Sequence, residues 1–198
     1  MRVYFIRHGQ SQDNRDRKAS GWSKSPLSEL GHSQAASVEP LLKDIRFDKV
    51  FSSDLLRAMQ TAQDAIPGCN PILSDKLREI SVGNISGKYR SELKEKYGNL
   101  YVNASTGHDY TPFEGENDDM VCERVFSFMK ELEALEGCEN VAVFGHEGTI
   151  HQMLNYVLGC RMSLRSLRIP NCSISVFIYD SGRWRLEKFG YTSSLRAE

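Results

Sequence analysis

No apolar run in this chain approaches the roughly 20 residues that a membrane-spanning helix needs. The one early apolar stretch is broken by Arg7 and His8, so no secretory leader is expected. An excess of charge is missing too: 25 Lys and Arg stand against 26 Asp and Glu, a formal net charge of −1. Such a balance excludes a general attraction to nucleic acid or to an anionic membrane. There is no C-x-x-C pair. The five cysteines (Cys69, Cys122, Cys138, Cys160, Cys172) are an odd number at irregular spacing. That argues against a disulfide framework or a zinc site, and for reduced thiols in the cytoplasm. The N-x-S sequons at Asn84, Asn103 and Asn171 carry little weight in that compartment. Repeats, linkers and a composition break are lacking as well, so residues 1–198 are expected to form a single domain.

What is present is a string of short apolar strands alternating with helices. Val3-Tyr4-Phe5-Ile6 reads as a buried strand that stops at Arg7-His8-Gly9. Ser28 is placed to cap a helix through Leu30, Ala35, Val38 and Leu42, which Pro40 must bend or end. Lys49-Val50-Phe51 is a second strand. Ser52-Ser53-Asp54 then offers side-chain caps to a helix with Leu56, Met59, Gln63 and Ile66 on its apolar stripe, ended by Pro67-Gly68. Pro71-Ile72-Leu73 begins a third strand. Residues 98 to 117 show no period and read as a long loop, a length that is usually functional or mobile. From Asn117 or Asp118 a helix carries Val121, Val125, Phe128, Leu132 and Leu135 on one stripe. Val141 to Phe144 is an uninterrupted apolar strand, as in a parallel sheet covered on both faces. Gly145-His146-Glu147-Gly148 opens the next helix, and a hairpin turns at Asp180-Ser181-Gly182. The fold expected is a three-layer α/β/α sandwich, its sheet mostly parallel with an antiparallel edge strand.

Ligands in open α/β sheets bind beyond the carboxyl ends of the strands. Two such ends present histidine beside glycine, His8 and His146, and a third places Arg57 in the first turn of a helix. Helix N-termini and the planar forks of Arg7 and Arg57 suit a phosphate. No G-x-S-x-G elbow, P-loop, H-E-x-x-H or D-x-D metal pattern accompanies them. His8 remains as the candidate nucleophile, since a neutral imidazole nitrogen can take a phosphoryl group. No metal site and no cofactor is expected.

The motifs together resemble the histidine phosphatase superfamily, the phosphoglycerate mutase-like fold. Arg7-His8-Gly9-Gln10-Ser11 with Asn14 is similar to its signature, and Ser52 to Ala58 with Thr61-Ala62 to its second phosphate-binding segment. Leu77-Arg78-Glu79 resembles the proton-donor segment, Gly115-Glu116 with Arg124-Val125 the Gly-Glu-Ser helix start, and Gly145 to Gly148 the second histidine motif. The resemblance implies that His8 is phosphorylated while Arg7, Arg57 and His146 hold the phosphate and Asn14 adds a hydrogen bond. It implies that Glu79 protonates the leaving alkoxide and then activates water. Glu147 and Gly148 complete the binding set. Gly21 is a further candidate for the pocket, although Gly21-Trp22 is more readily read as a buried aromatic under a loop. Tyr101, Tyr110 and Phe113 either cover the site or pin the loop, and His32, His108 and His151 are expected on surfaces or helix faces.

The chain departs from the pattern where substrate is met. Asn84-Ile85-Ser86-Gly87 stands where Trp-Glu-Gly is common, and Asn117 stands for the serine of Gly-Glu-Ser. Residues 97 to 115 hold no Lys or Arg, whereas mutases of the family place paired arginines there. That favours a phosphatase for a small phosphorylated metabolite with an uncharged or weakly charged leaving group. The alternatives are a mutase that returns the phosphate to a second hydroxyl and a non-catalytic phosphoester-binding protein. The partner expected is a small phosphomonoester, with self-association left open.

Overall fold

The computed structural model describes residues 1–163 and 166–192; the last six residues of the expected domain, 193–198, lie outside it. Six strands form one sheet in the order β3-β2-β4-β1-β5-β6. They are β1 (Arg2–Arg7), β2 (Lys49–Ser53), β3 (Ile72–Ser74), β4 (Asn140–Gly145), β5 (Ile174–Asp180) and β6 (Arg183–Tyr191). β1, β4, β2 and β3 run parallel, whereas β5 pairs antiparallel with β1 and with β6. The helices are α1 (Gln12–Arg15), α2 (Glu29–Ala36), α3 (Glu39–Leu42), α4 (Leu56–Ala65), α5 (Arg90–Tyr97), α6 (Asn99–Gly107), α7 (Asp118–Glu133) and α8 (Glu147–Leu158).

Successive side chains of a strand point to opposite faces, and β1 separates two cores accordingly. Val3 and Phe5 pack with Val121, Val125, Phe128 and Leu132 of α7 and with Ile150 and Met153 of α8. Tyr4 and Ile6 pack with Ala35 of α2, Leu42 of α3 and Ala62 and Ala65 of α4. A sheet covered on both faces needs central strands with apolar interiors, and residues 3–6 of β1 and 141–144 of β4 supply them. The three-layer sandwich expected from the sequence is therefore the fold observed.

Four local expectations need correction. Ser52, Ser53 and Asp54 do not cap α4: Leu55 is its N-cap and makes no side-chain cap bond. Ser52 and Ser53 belong instead to β2, where both are buried. The buried stripe of α4 is also one position round from the one expected. Arg57, Ala58, Thr61, Ala62 and Ala65 face inward while Leu56 is exposed, because small residues let this helix lie close to the sheet. Residues 98 to 117 are not a structureless loop. They contain α6 and a single 3-10 turn at Thr111–Phe113, with Tyr101, Ala104, Tyr110 and Phe113 in the core. Pro40 falls in the first turn of α3 rather than inside α2, a position where its missing N–H costs nothing.

Candidate active site

Sheet register assembles the site. Arg7 pairs with Gly145 and Ser52 with Phe144, so the carboxyl ends of β1, β4 and β2 finish level. The residues that follow them are then neighbours: His8 N–H donates to Gly145 O at 2.9 Å, and the His8 and His146 rings lie 5.0 Å apart. Gly9 continues from His8 under α2. A Cβ on it would meet Gly31 O at 2.5 Å, so this close approach admits only glycine. Gly9 N–H donates to Thr61 Oγ1 at 3.0 Å, fixing the loop to α4.

The state of His8 follows from its partner. Its Nδ1 lies 2.6 Å from Gly9 O, and a carbonyl oxygen can only accept, so Nδ1 carries the hydrogen. Burial and the Arg57 and Arg7 guanidiniums push the imidazole well below its ordinary pKa. A neutral ring with hydrogen on Nδ1 leaves a lone pair on Nε2. His146 is likewise kept neutral, by burial first and then by Arg57.

Arg7 and Arg57 bring the positive charge. Arg57 is almost completely buried, and its Nη2 donates to Gly21 O at 2.9 Å. Burial lowers its pKa to about 10, which leaves it charged at neutral pH. Arg7 donates to Ile169 O and pairs with Glu147 at 3.2 Å. Among the described residues, Arg7 Nε, Arg57 Nε and His146 Nδ1 are buried with no hydrogen-bond partner. An orphaned buried polar atom costs about 1–3 kcal/mol. Three of them around one histidine fit an anion whose oxygens would satisfy them.

Glu79 is held from several sides. Its carboxylate accepts from Ile80 N–H at 3.0 Å and Gly148 N–H at 3.4 Å, and a Cβ on Gly148 would meet Oε1 at 2.4 Å. Its backbone carbonyl accepts from Trp22 Nε1 at 2.7 Å and Arg124 Nη2 at 3.0 Å. Trp22 is exposed, not buried under a loop: it stacks on Arg78, whose guanidinium lies 4.6 Å from the ring centre and pairs with Asp54.

These groups open on one cavity of about 310 Å³. Arg7, His8, Asn14, Gly21, Arg57, Glu79, Glu147 and Gly148 line it, as the sequence reading grouped them. His146 is fully buried at the edge of this group, its ring 5.0 Å from that of His8. Asn14 spends its Oδ1 on the Ser11 N–H, closing the capping box of α1, which leaves its amide NH₂ for a ligand. Tyr101 and Tyr110 line the cavity, whereas Phe113 packs against Tyr97. His108 and His151 line the cavity too, against expectation: His151 lies on α8, and His108 follows α6 as its left-handed C-cap. Arg90 was missed because it lies before the 97–115 window, at the start of α5. The cavity wall therefore holds a cation beyond the phosphate end, and the uncharged leaving group argued from that window does not follow. Among the described residues no group of three or more His, Cys, Asp or Glu is placed to hold a metal ion.

Comparison with known proteins agrees with this geometry. The sequence matches the histidine phosphatase superfamily (branch 1) over residues 3–192. A Shigella boydii protein named "Probable phosphoglycerate mutase GpmB" is 30% identical over 188 residues, covering 93% of this chain and 87% of that one. The alpha-ribazole phosphatase from Shigella flexneri superposes with a TM-score of 0.88 at 25% identity, over 96% of each chain. A mycobacterial glucosyl-3-phosphoglycerate phosphatase in complex with VO3 superposes with a TM-score of 0.84 at 26% identity, over 96% of this chain and 99% of that one.

Proposed function

The chain belongs to the histidine phosphatase superfamily, and from that premise we propose that it is a phosphomonoesterase acting on a small phosphorylated metabolite. The observation that carries the reading is the trio of buried, unpartnered nitrogens of Arg7, Arg57 and His146 around His8. In the first step the His8 Nε2 lone pair attacks phosphorus and the phosphorus–oxygen ester bond breaks. Glu79 gives its proton to the departing alkoxide. In the second step Glu79 takes a proton from water, whose oxygen attacks phosphorus as the phosphorus–nitrogen bond breaks. Phosphate leaves and His8 is neutral again. Arg7, Arg57 and His146 hold the equatorial oxygens, where charge accumulates in phosphoryl transfer. Asn14, Gly21, Glu147 and Gly148 shape the phosphate end of the cavity.

The second reading is a mutase. It is favoured by the identity to a protein named as a phosphoglycerate mutase and by Arg90 on the cavity wall. One experiment separates the two. Quenched turnover with labelled substrate should leave acid-labile, base-stable phosphate on the wild-type protein and none on His8→Ala. Inorganic phosphate should be released without a bisphosphorylated primer. Label that persists in His8→Ala overturns the nucleophile, and primer-dependent isomerisation of 3-phosphoglycerate overturns hydrolysis.

A further inference from the structure

We infer that Ser53 is a positioning residue: its hydroxyl donates to His146 Nε2 and thereby fixes the His146 hydrogen on Nδ1. The argument begins with the sheet. β2 and β4 are parallel with Ser52 opposite Phe144, so the last residue of β2 lies beside the turn that carries His146. Ser53 Oγ and His146 Nε2 are 3.0 Å apart, and both residues are fully buried. No water competes in such a place, so the two groups must settle the direction of the bond between themselves.

Two counts give the direction. Ser53 Oγ already accepts the Leu55 N–H at 3.3 Å. Its own hydrogen has a single acceptor within reach among the described residues, His146 Nε2. If Nε2 carried the hydrogen, the serine hydrogen would be buried without a partner and Nδ1 would hold a buried lone pair. With the serine donating, every polar group of the pair is satisfied except the Nδ1–H. Burial and Arg57 keep the ring neutral, so only one nitrogen is protonated.

The consequence concerns charge. An Nδ1 lone pair repels a phosphoryl oxygen, whereas an Nδ1–H attracts one. Burial and Arg57 already hold the imidazole neutral, so the ring cannot correct a wrong tautomer by taking a second proton. Ser53 supplies what a second-shell partner supplies to many ring ligands, a fixed hydrogen position. It touches no reacting atom. The Ser52 hydroxyl plays no part in this, since it donates to Ser53 O at 2.8 Å.

The test reads the tautomer directly, by long-range proton–nitrogen correlation on protein labelled with ¹⁵N-histidine at pH 7.5. The wild type should show His146 protonated on Nδ1 and bare on Nε2. Ser53→Ala should give a mixture or the Nε2–H form, and Ser53→Thr, which keeps the hydroxyl, should restore Nδ1–H. An Nε2–H form in the wild type, or pure Nδ1–H in Ser53→Ala, overturns the inference. If Ser53→Ala does not fold, the wild-type spectrum decides alone.

A kinetic arm rests on the phosphatase reading. Removing a positioned donor outright costs roughly 10²–10³-fold in kcat. Ser53→Ala should cost less, about tenfold with KM little changed, because part of the population keeps the right tautomer. A protein that releases no phosphate yet shows Nδ1–H would sink the phosphatase reading and leave this inference standing.

Discussion

Glu79 is assigned a proton transfer, and the chemistry of the leaving group can isolate that role. A phenolate departs without much help, whereas an alkoxide needs a proton as its bond to phosphorus breaks. Glu79→Gln keeps the shape and the acceptor oxygen facing Ile80 N–H but has no transferable proton. In single turnover, the first step should slow by roughly 10²–10⁴-fold on an alkyl phosphate and far less on p-nitrophenyl phosphate. Equal losses on both would remove Glu79 from the role. Glu116 would not replace it directly, because both its oxygens are bound to Arg124. At this scale the sequence was highly legible: Arg7, His8, Arg57, Glu79 and His146 all stand together. A strand end, a glycine and a charged residue are local signals, and sheet register does the rest. What could not be read was direction. Arg90 at the start of α5, His151 on α8 and His108 just past the end of α6 face the cavity, orientations that single residues do not announce.

The proton donor depends on elements that carry no chemistry. Glu79 follows a 3-10 turn, Asp75–Leu77, after the three-residue β3, and so short a strand cannot hold it. The holding is done from α7. Arg124 donates to the carbonyls of Lys76 at 3.0 Å, Arg78 at 2.5 Å and Glu79 at 3.0 Å, and pairs through its other donors with Glu116. A lysine retains the charge but not the fork of donors. Arg124→Lys should therefore reproduce the Glu79→Gln pattern in weaker form, with alkyl phosphate losing more than p-nitrophenyl phosphate. Equal losses on the two would make Arg124 a stability residue only. The α7 helix itself was plain from its Asn117 cap and from its stripe, which is observed as far as Leu132, while Leu135 falls past the helix end. α6 was not, since its Gly, Asn and Thr content has poor helix propensity and it is packing of Tyr101 and Ala104 that holds it. The α4 stripe was misread for the matching reason: alanines and a buried arginine face the sheet, and apolar pattern alone favoured Leu56.

For the whole molecule, a core that keeps two neutral histidines has a pH signature. His8 and His146 have folded-state pKa values well below 6.5, from burial and from Arg57, while the unfolded chain returns them to about 6.5. Between those values the unfolded state binds protons that the folded state does not, so stability rises with pH and is lost as pH falls below 6.5. Each histidine contributes about 1.4 kcal/mol per pH unit in that window. The depressed carboxylates act elsewhere: Asp54, lowered by its bond to Arg78, contributes stability that is lost only as pH falls below its ordinary value of about 3.9. A decrease from pH 6 to pH 5 should thus cost at most about 2.5 kcal/mol and lower the urea midpoint. The titration belongs in a buffer free of phosphate, since an anion that binds only the folded state adds stability of its own. A midpoint unchanged between pH 6.5 and pH 5 would show that the two rings titrate normally. The lone pair on His8 Nε2 would then be lost to protonation at mildly acidic pH, and with it the nucleophile the site is built around.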